Sequence, residues 1–165
     1  MQENKILNKD EIGDKIKRIS YEIYEENFNE KSIVICGIEN NGAIIAKKVI
    51  QELESISKIN IEFFSIELDK RNPLKTVKIK DSNIIMKDKS VILIDDVSNT
   101  GSTLIYVLSR LLELQPKKIN TAVLVNRDHT LFPIKINYIG LSLSTSLNNH
   151  IEVKFKENDI GVFLT

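Results

Sequence analysis

The sequence has a single cysteine, no net charge and no apolar run long enough to cross a membrane. Cys36 alone cannot form an internal disulfide framework or a cysteine-based zinc site. The 23 basic and 23 acidic residues balance, so the overall charge does not steer the chain toward a polyanion such as a nucleic acid. The polar N-terminus and the missing apolar spans lead us to expect a soluble, cytoplasmic protein without membrane association.

Two widespread nucleotide-binding motifs are also missing. No lysine lies between Asp95 and Thr103, so the phosphate-binding loop of nucleoside triphosphatases is excluded there. No G-x-G-x-x-G segment follows an apolar run, which excludes the dinucleotide-binding fingerprint. The chain has 165 residues, of which 42% are apolar, and this is enough for one domain with a buried core. We expect a single domain over residues 1–165, with an N-terminal helical segment in residues 1–30.

Apolar runs alternate with amphipathic segments along the chain. The isoleucines of Asp10–Asn27 recur at spacings of four, three and four, which predicts a helix with one buried face. Further helices are predicted over Ala43–Leu53 and Thr103–Leu114. The predicted strands are Ser32–Ile38, Ile59–Leu68, Leu74–Ile79, Val91–Ile94, Thr121–Val125, Ile151–Phe155 and Ile160–Leu164. Strands followed by helices predict an α/β fold with a parallel sheet.

The most informative stretch is Ser90–Leu104, SVILIDDVSNTGSTL. An apolar strand, Val91–Ile94, runs into two carboxylates, Asp95 and Asp96, and small polar residues then lead into a helix. The first turn of a helix has unpaired N–H groups and can bind a phosphate. The carboxylates suit sugar hydroxyls or water on a bound Mg²⁺ instead. The stretch therefore predicts a site for a phosphorylated sugar.

An apolar strand followed by Asp-Asp and then by V-x-x-T-G-x-T resembles the phosphoribosyl-pyrophosphate signature of type I phosphoribosyltransferases. Further along, the order A-V-L-V-x-R-x-H-x-x-x-P-I, then Y-I-G and T-S, is similar to one branch of that family. This branch comprises the pyrimidine-operon attenuation regulators that carry uracil phosphoribosyltransferase activity. The similarity covers Ser32–Phe155 and is densest at Val91–Thr103 and Ala122–Ser146.

The resemblance implies a three-layer sandwich with a central, mostly parallel sheet, and a short hood-like insertion over residues 62–86. It also implies transfer of phosphoribose from phosphoribosyl pyrophosphate to a nucleobase, a pyrimidine such as uracil, with release of pyrophosphate. Mg²⁺ is the implied cofactor. A nucleoside monophosphate is the other implied ligand, and a homo-oligomer (dimer or higher) and RNA are further implied partners.

The resemblance implies roles for particular residues. Asp95 and Asp96 would be the catalytic pair, binding the ribose hydroxyls directly or through water on Mg²⁺. Arg71 would meet the pyrophosphate, with a place at a solvated hairpin tip as the alternative. Arg127 would contact a phosphate, with a solvated charge as the alternative. The remaining substrate-binding candidates are two loop segments: Val97, Ser98, Asn99, Thr100, Gly101, Ser102 and Thr103 for the 5′-phosphate, and Glu39, Asn40, Asn41 and Gly42 for the pyrophosphate. A plain turn is the alternative for the second segment.

The chain departs from the family pattern at several positions. Asn41 and Ser102 stand where relatives carry a basic residue, and Leu141 and Ser144 stand where the attenuation-regulator branch usually has lysine and proline. Asn99 stands where purine-using relatives often have a carboxylate, which favours a pyrimidine because an amide cannot accept a proton at neutral pH. The missing cations leave an alternative open, a non-catalytic sensor or regulator that binds a nucleotide or phosphoribosyl pyrophosphate.

Overall fold

The computed structural model describes residues 4–68, 77–79, 85–144, 149–156 and 159–164. The three helices predicted from the sequence are confirmed with slightly different ends. Within the described ranges the helices and strands, in chain order, are β1 (Asn4–Leu7), α1 (Lys9–Asn27), β2 (Ser32–Ile38), α2 (Asn41–Ile56), β3 (Asn60–Leu68), β4 (Val77–Ile79), β5 (Ser90–Ser98), α3 (Ser102–Leu112), β6 (Lys118–Arg127), β7 (Tyr138–Leu143), β8 (Ile151–Lys156) and β9 (Asp159–Leu164).

The central sheet has six strands in the order β4-β3-β2-β5-β6-β7. Neighbouring strands in this sheet run parallel except for β3 and β4, which are antiparallel. Five consecutive residues of β5, from Ser90 to Ile94, are buried, as expected for a parallel strand that is covered on both faces. The α/β fold with a mostly parallel central sheet is confirmed.

Helices cover both faces of this sheet and make three layers. On β2, Ile33 and Ile35 face the core shared with α1 and α2, whereas Val34 and Cys36 face the core shared with α3. This alternation follows from the two-residue period of a strand. Burial raises the pKa of the Cys36 thiol well above its usual range, so the residue is an unreactive part of the core.

A second, antiparallel sheet has the strand order β1-β9-β8. It packs on the α1 and α2 side through Leu7, Ile151, Val153 and Val162. The predicted late strands are confirmed as β8 and β9, which pair from Ile151↔Leu164 onward. The sequence did not predict β1, because only its last residue is buried and no alternation precedes the helix.

The hood-like insertion expected over residues 62–86 falls partly outside the described residues. Arg71 is one of the residues that lie outside them. Its first part, residues 62–68, completes β3, and Val77–Ile79 forms β4 beside it. In the described part of the chain, no helix is long and apolar enough to span a membrane.

We predict opposite stability effects for alanine at two glycines. A Cβ atom at Gly37 would lie 2.6 Å from the Cα of Ala43, where β2 and α2 touch, so Gly37→Ala should lower the free energy of unfolding by about 1–3 kcal/mol. A Cβ atom at Gly13, inside α1, meets nothing within 4 Å, so Gly13→Ala should raise it by about 1 kcal/mol. Urea denaturation measures both. Equal unfolding midpoints for Gly37→Ala and the wild type would contradict the packing argument.

Candidate functional site

The site lies where the strand order of the sheet reverses. From β2 the chain proceeds outward to β3, and later returns to place β5 on the other side of β2. Helix α2 follows β2 on one face and α3 follows β5 on the other, so a crevice opens between the carboxyl ends of β2 and β5. Ligands of open α/β sheets bind in such crevices.

The end of β5 projects into this crevice. Pairing between β2 and β5 stops at Gly37↔Ile94, but β5 continues along β6 as far as Ser98↔Asn126. The predicted strand end at Ile94 is therefore wrong. The two carboxylates lie inside β5, with β6 on one side and the crevice on the other.

Hydrogen bonds fix the orientation of both carboxylates, Asp95 and Asp96, the acid pair. The N–H of Asp96 donates to Oδ1 of Asp95 at 2.9 Å, and the N–H of Val97 donates to Oδ1 of Asp96 at 2.8 Å. The side-chain amide of Asn41 donates to Oδ2 of Asp96 at 2.8 Å. Asp95 is 6% exposed, which leaves it a small accessible surface. The acid pair is thus preorganised by the fold.

Gly42 lets the start of α2 approach the acid pair. A Cβ atom at this position would lie 2.9 Å from the carbonyl oxygen of Ile94 and 3.2 Å from the Cα of Asp95. Both contacts are to backbone, which cannot easily move. A glycine is therefore required for α2 to bring Asn41 within hydrogen-bonding distance of Asp96.

The loop between β5 and α3, Asn99–Gly101, turns sharply into the helix. Gly101 has a φ of +81°, a left-handed conformation that favours glycine, and a Cβ atom there would lie 2.6 Å from Cγ2 of Ile134. The hydroxyls of Thr100 and Ser102 lie 2.9 Å apart. The first cavity, of about 240 Å³, is lined by this loop and its neighbours: Asp95, Val97, Ser98, Asn99, Thr100, Gly101, Ser102, Thr103 and Leu104.

The segment after β6 braces this loop. The N–H groups of Leu131 and Phe132 both donate to the carbonyl oxygen of Thr100, at 3.0 and 3.1 Å. Arg127 is 6% exposed and donates to Oδ1 of Asn99 at 3.0 Å. The alternative of a solvated charge at Arg127 is therefore wrong. Its guanidinium is buried beside the loop, where it holds Asn99.

A second cavity, of about 340 Å³, adjoins the first. The two share Asp95, Val97, Asn99 and Thr103 as lining residues. The other lining residues of the second cavity are Asn41, Asp96, His150, Ile151, Glu152 and Val153. The fold thus brings the Asn41 region and the acid pair together, as the sequence predicted for two loops at neighbouring strand ends.

Sequence reasoning missed residues 150–153 as part of the site. They belong to the start of β8 and the residue before it, and they reach the acid pair because the second sheet packs beside α2. Their sequence, HIEV, shows only ordinary strand alternation. No local signal could have found them, since the contact depends on how two sheets are arranged.

Two of the predicted loop residues lie away from both cavities. Glu39 and Asn40 line neither of them. The N–H of Glu39 donates to the carbonyl of Ile66 in β3, and Asn40 has a φ of +67° at the N-terminus of α2. Among the described residues of this segment, Asn41 lines a cavity and Gly42 allows the close approach.

The helices at the crevice differ from α1 at their N-termini. Helix α1 begins with a capping box formed by Asn8 and Glu11. Helices α2 and α3 have no side-chain cap and no acidic residue in the first turn. The N–H of Ser102, the first residue of α3, donates to Oγ1 of Thr100 at 3.3 Å. The other N–H groups of these first turns can serve an anion in the crevice.

The acid pair does not form a complete metal cage with other side chains. In the described part of the chain, no group of three or more histidine, cysteine, aspartate or glutamate side chains is placed to hold a metal ion. Two adjacent carboxylates do suit Mg²⁺, which keeps several water molecules and binds a few carboxylates together with substrate phosphates. The donor set fits a magnesium ion held mainly by its ligand.

Comparison with known proteins gives a consistent result. The family described as the phosphoribosyl transferase domain matches residues 2–159. The "Bifunctional protein PyrR" of Fusobacterium nucleatum is 34% identical, over 93% of this chain and 92% of that protein. The protein of the same name from Latilactobacillus sakei is 35% identical, over 86% of this chain and 85% of that protein.

Solved structures share the fold at low sequence identity. The hypoxanthine phosphoribosyltransferase of Trypanosoma cruzi superposes with a TM-score of 0.80 at 13% identity, covering 98% of this chain and 95% of that one. A hypoxanthine-guanine phosphoribosyltransferase from Bacillus anthracis gives a TM-score of 0.78 at 16% identity, covering 100% and 99%. These likenesses establish the fold.

We predict that changes at Asn41 destabilise the protein through the acid pair. Asn41→Ala removes a hydrogen bond to a charged acceptor and should lower the free energy of unfolding by about 2 kcal/mol. Asn41→Asp has nearly the same shape but places a carboxylate against Asp96, so it should be less stable still at pH 7. Chemical denaturation of both variants measures the difference.

The matched control is Asn60→Asp, which makes the same change at an exposed position at the start of β3. It should alter stability by no more than about 0.5 kcal/mol. If Asn41→Asp proves as stable as Asn41→Ala at pH 7, Asn41 does not hold Asp96 in solution.

Proposed function

The chain belongs to the phosphoribosyl transferase domain family, and from this membership and the site geometry we propose that it transfers phosphoribose from phosphoribosyl pyrophosphate to a nucleobase. One observation carries the proposal. Asp95 lines both of two adjoining cavities and Asp96 lines the second, and each cavity is next to the uncapped N-terminus of a helix. A ligand with a sugar in the middle and an anion at each end matches this arrangement.

The first cavity suits the 5′-phosphate of such a ligand. It contains the hydroxyls of Thr100, Ser102 and Thr103 and the start of α3, all of which can donate to anionic oxygens. The second cavity, on the side of α2, then receives the pyrophosphate. Asp95 lines both cavities, so its carboxylate is placed to accept hydrogen bonds from the ribose hydroxyls between them.

The reaction breaks the bond between the anomeric carbon and pyrophosphate and forms a bond from that carbon to a ring nitrogen of the base. The electron pair of the broken bond leaves on pyrophosphate, and the base loses its N–H proton to water. Positive charge develops on the sugar in the transition state. The preorganised carboxylates of Asp95 and Asp96 stabilise that charge, and the two cavities hold the reactants in place.

We infer that the acceptor is a pyrimidine such as uracil. Asn99 lines both cavities, and its amide oxygen accepts a hydrogen bond from Arg127. It therefore offers no proton acceptor to a purine base. A uracil-type base ionises more readily by itself, so this site needs no carboxylate at position 99.

Mg²⁺, when bound, would neutralise charge on the leaving pyrophosphate. Asp95 and Asp96 are the residues that would contact it through water. The phosphoribosyl pyrophosphate and the nucleobase are the proposed partners. A homo-oligomeric state and RNA binding, which the resemblance implies, stay predictions.

A second candidate function is a sensor that binds the same ligands without turnover. Asn41 favours it, because both N–H groups of its amide are engaged by Asp96 and by the carbonyl of Val153. The α2 side of the crevice thus has a neutral, occupied amide where the family usually has a cation, so the pyrophosphate is less strongly bound as it leaves.

The deciding experiment follows pyrophosphate release from phosphoribosyl pyrophosphate and Mg²⁺ with uracil, and separately with hypoxanthine and guanine. Of the three bases, we expect only uracil to give pyrophosphate release. Nucleotide binding without pyrophosphate release in the presence of any base would support the sensor. Pyrophosphate release with a purine would contradict the pyrimidine assignment.

We predict that the hydroxyls of the first cavity bind the 5′-phosphate. Thr100→Val and Thr103→Val each remove one donor while keeping the side-chain shape, so each should weaken ribose 5-phosphate binding by about 1.5–3 kcal/mol, roughly a tenfold to hundredfold rise in Kd. Isothermal titration calorimetry measures this. Ser109→Ala, which removes an exposed hydroxyl further along α3, should bind as the wild type does. Equal binding of ribose and ribose 5-phosphate by the wild type would show that the cavity does not bind the phosphate.

A further inference from the structure

The start of β8 is fixed against the acid pair by one amide group. Nδ2 of Asn41 donates to Oδ2 of Asp96 and to the carbonyl oxygen of Val153, both at 2.8 Å. Val153 is also part of the buried core between the second sheet and α2. The wall that residues 150–153 contribute to the second cavity is therefore held by hydrogen bonds and by packing, at a defined position relative to the carboxylates.

The side chains around the second cavity carry an excess of negative charge. Three carboxylates line it, those of Asp95, Asp96 and Glu152. Glu152 is exposed and its Oε2 lies 3.8 Å from Nζ of Lys154, so the excess rests chiefly on Asp95 and Asp96. The amide of Asn41 uses both of its N–H groups within the protein. Of the lining residues in the described part of the chain, His150 alone has a side chain that can become a cation.

We propose that His150 is a binding residue for the pyrophosphate end of the substrate, a role that rests on the proposed function. An anion that enters a cavity lined by three carboxylates is repelled, and a donor that can also carry positive charge offsets this repulsion. The imidazole supplies such a donor, and its hydrogen bond to a phosphoryl oxygen is strengthened when the ring is protonated.

This assignment places the pyrophosphate-binding donor on the residue just before β8 rather than on the loop before α2. The acid pair comes from β5, Asn41 comes from α2 and Thr103 from α3, so each other wall of the cavity presents a carboxylate, an occupied amide or a neutral hydroxyl. A donor on this wall binds the pyrophosphate, which leaves the carboxylates of Asp95 and Asp96 to serve the sugar.

The test compares two ligands that differ only in the pyrophosphate. Isothermal titration calorimetry with Mg²⁺ present gives the Kd of phosphoribosyl pyrophosphate and of ribose 5-phosphate for the wild type and for a charge series at one position, His150→Lys, His150→Ala and His150→Glu. The matched control is His129→Ala, which removes the other histidine of the chain, in the turn after β6.

We expect His150→Ala to raise the Kd of phosphoribosyl pyrophosphate about tenfold, the loss of one charge-assisted hydrogen bond, and His150→Glu to raise it further. His150→Lys should bind this ligand as tightly as the wild type or more tightly. The Kd of ribose 5-phosphate should stay within about twofold throughout the series, and His129→Ala should match the wild type for both ligands.

An unchanged Kd for phosphoribosyl pyrophosphate in His150→Ala and His150→Glu would overturn the assignment, while intact ribose 5-phosphate binding would leave the proposed function standing. An equal loss of affinity for both ligands in His150→Ala and His150→Lys would also overturn the assignment, because the residue would then have a structural role. If the wild type binds neither ligand, the proposed function fails, and the role of His150 fails with it.

Discussion

The bridge made by Asn41 is the interaction on which the site depends. One side-chain amide joins the start of α2, the acid pair of β5 and the backbone of β8. These three elements come from distant parts of the chain, and the two strands among them belong to different sheets. Because Nδ2 has two N–H groups, both acceptors are satisfied at once, and neither carbonyl nor carboxylate is left without a partner inside a half-buried crevice.

Close packing around two glycines makes this bridge and the neighbouring loop possible. Gly42 allows the backbone of α2 to lie against β5, and Gly101 turns the chain into α3 while Ile134 fills the space beside it. Arg127 and the segment after β6 then brace the loop from outside. The site is therefore rigid on the side of the first cavity, and the proposed phosphate contacts need little reordering when a ligand binds.

Sequence patterns predicted what depends on local chemistry. The run Ser32–Ile38 was assigned as a strand with the observed ends, because seven apolar or small residues between turn signals have few other interpretations. The acid pair and the following T-G loop were also recognised. The end of β5 was misplaced, since pairing with β6 rather than the polarity of Asp95 decides where the strand stops. Strand β1 and the contribution of His150 could not be predicted, because both depend on how the second sheet packs.

The second sheet also joins the two ends of the described chain, since Asn4–Leu7 pairs with residues of Asp159–Leu164. During synthesis on a ribosome, β1 emerges long before β9 and must wait for it, so this pairing closes a loop of about 150 residues. The second cavity acquires its β8 wall in the same late step. A nascent chain can therefore bury much of its central sheet before it can hold a complete ligand, and a ligand that needs the second cavity stabilises only molecules in which synthesis has reached β9.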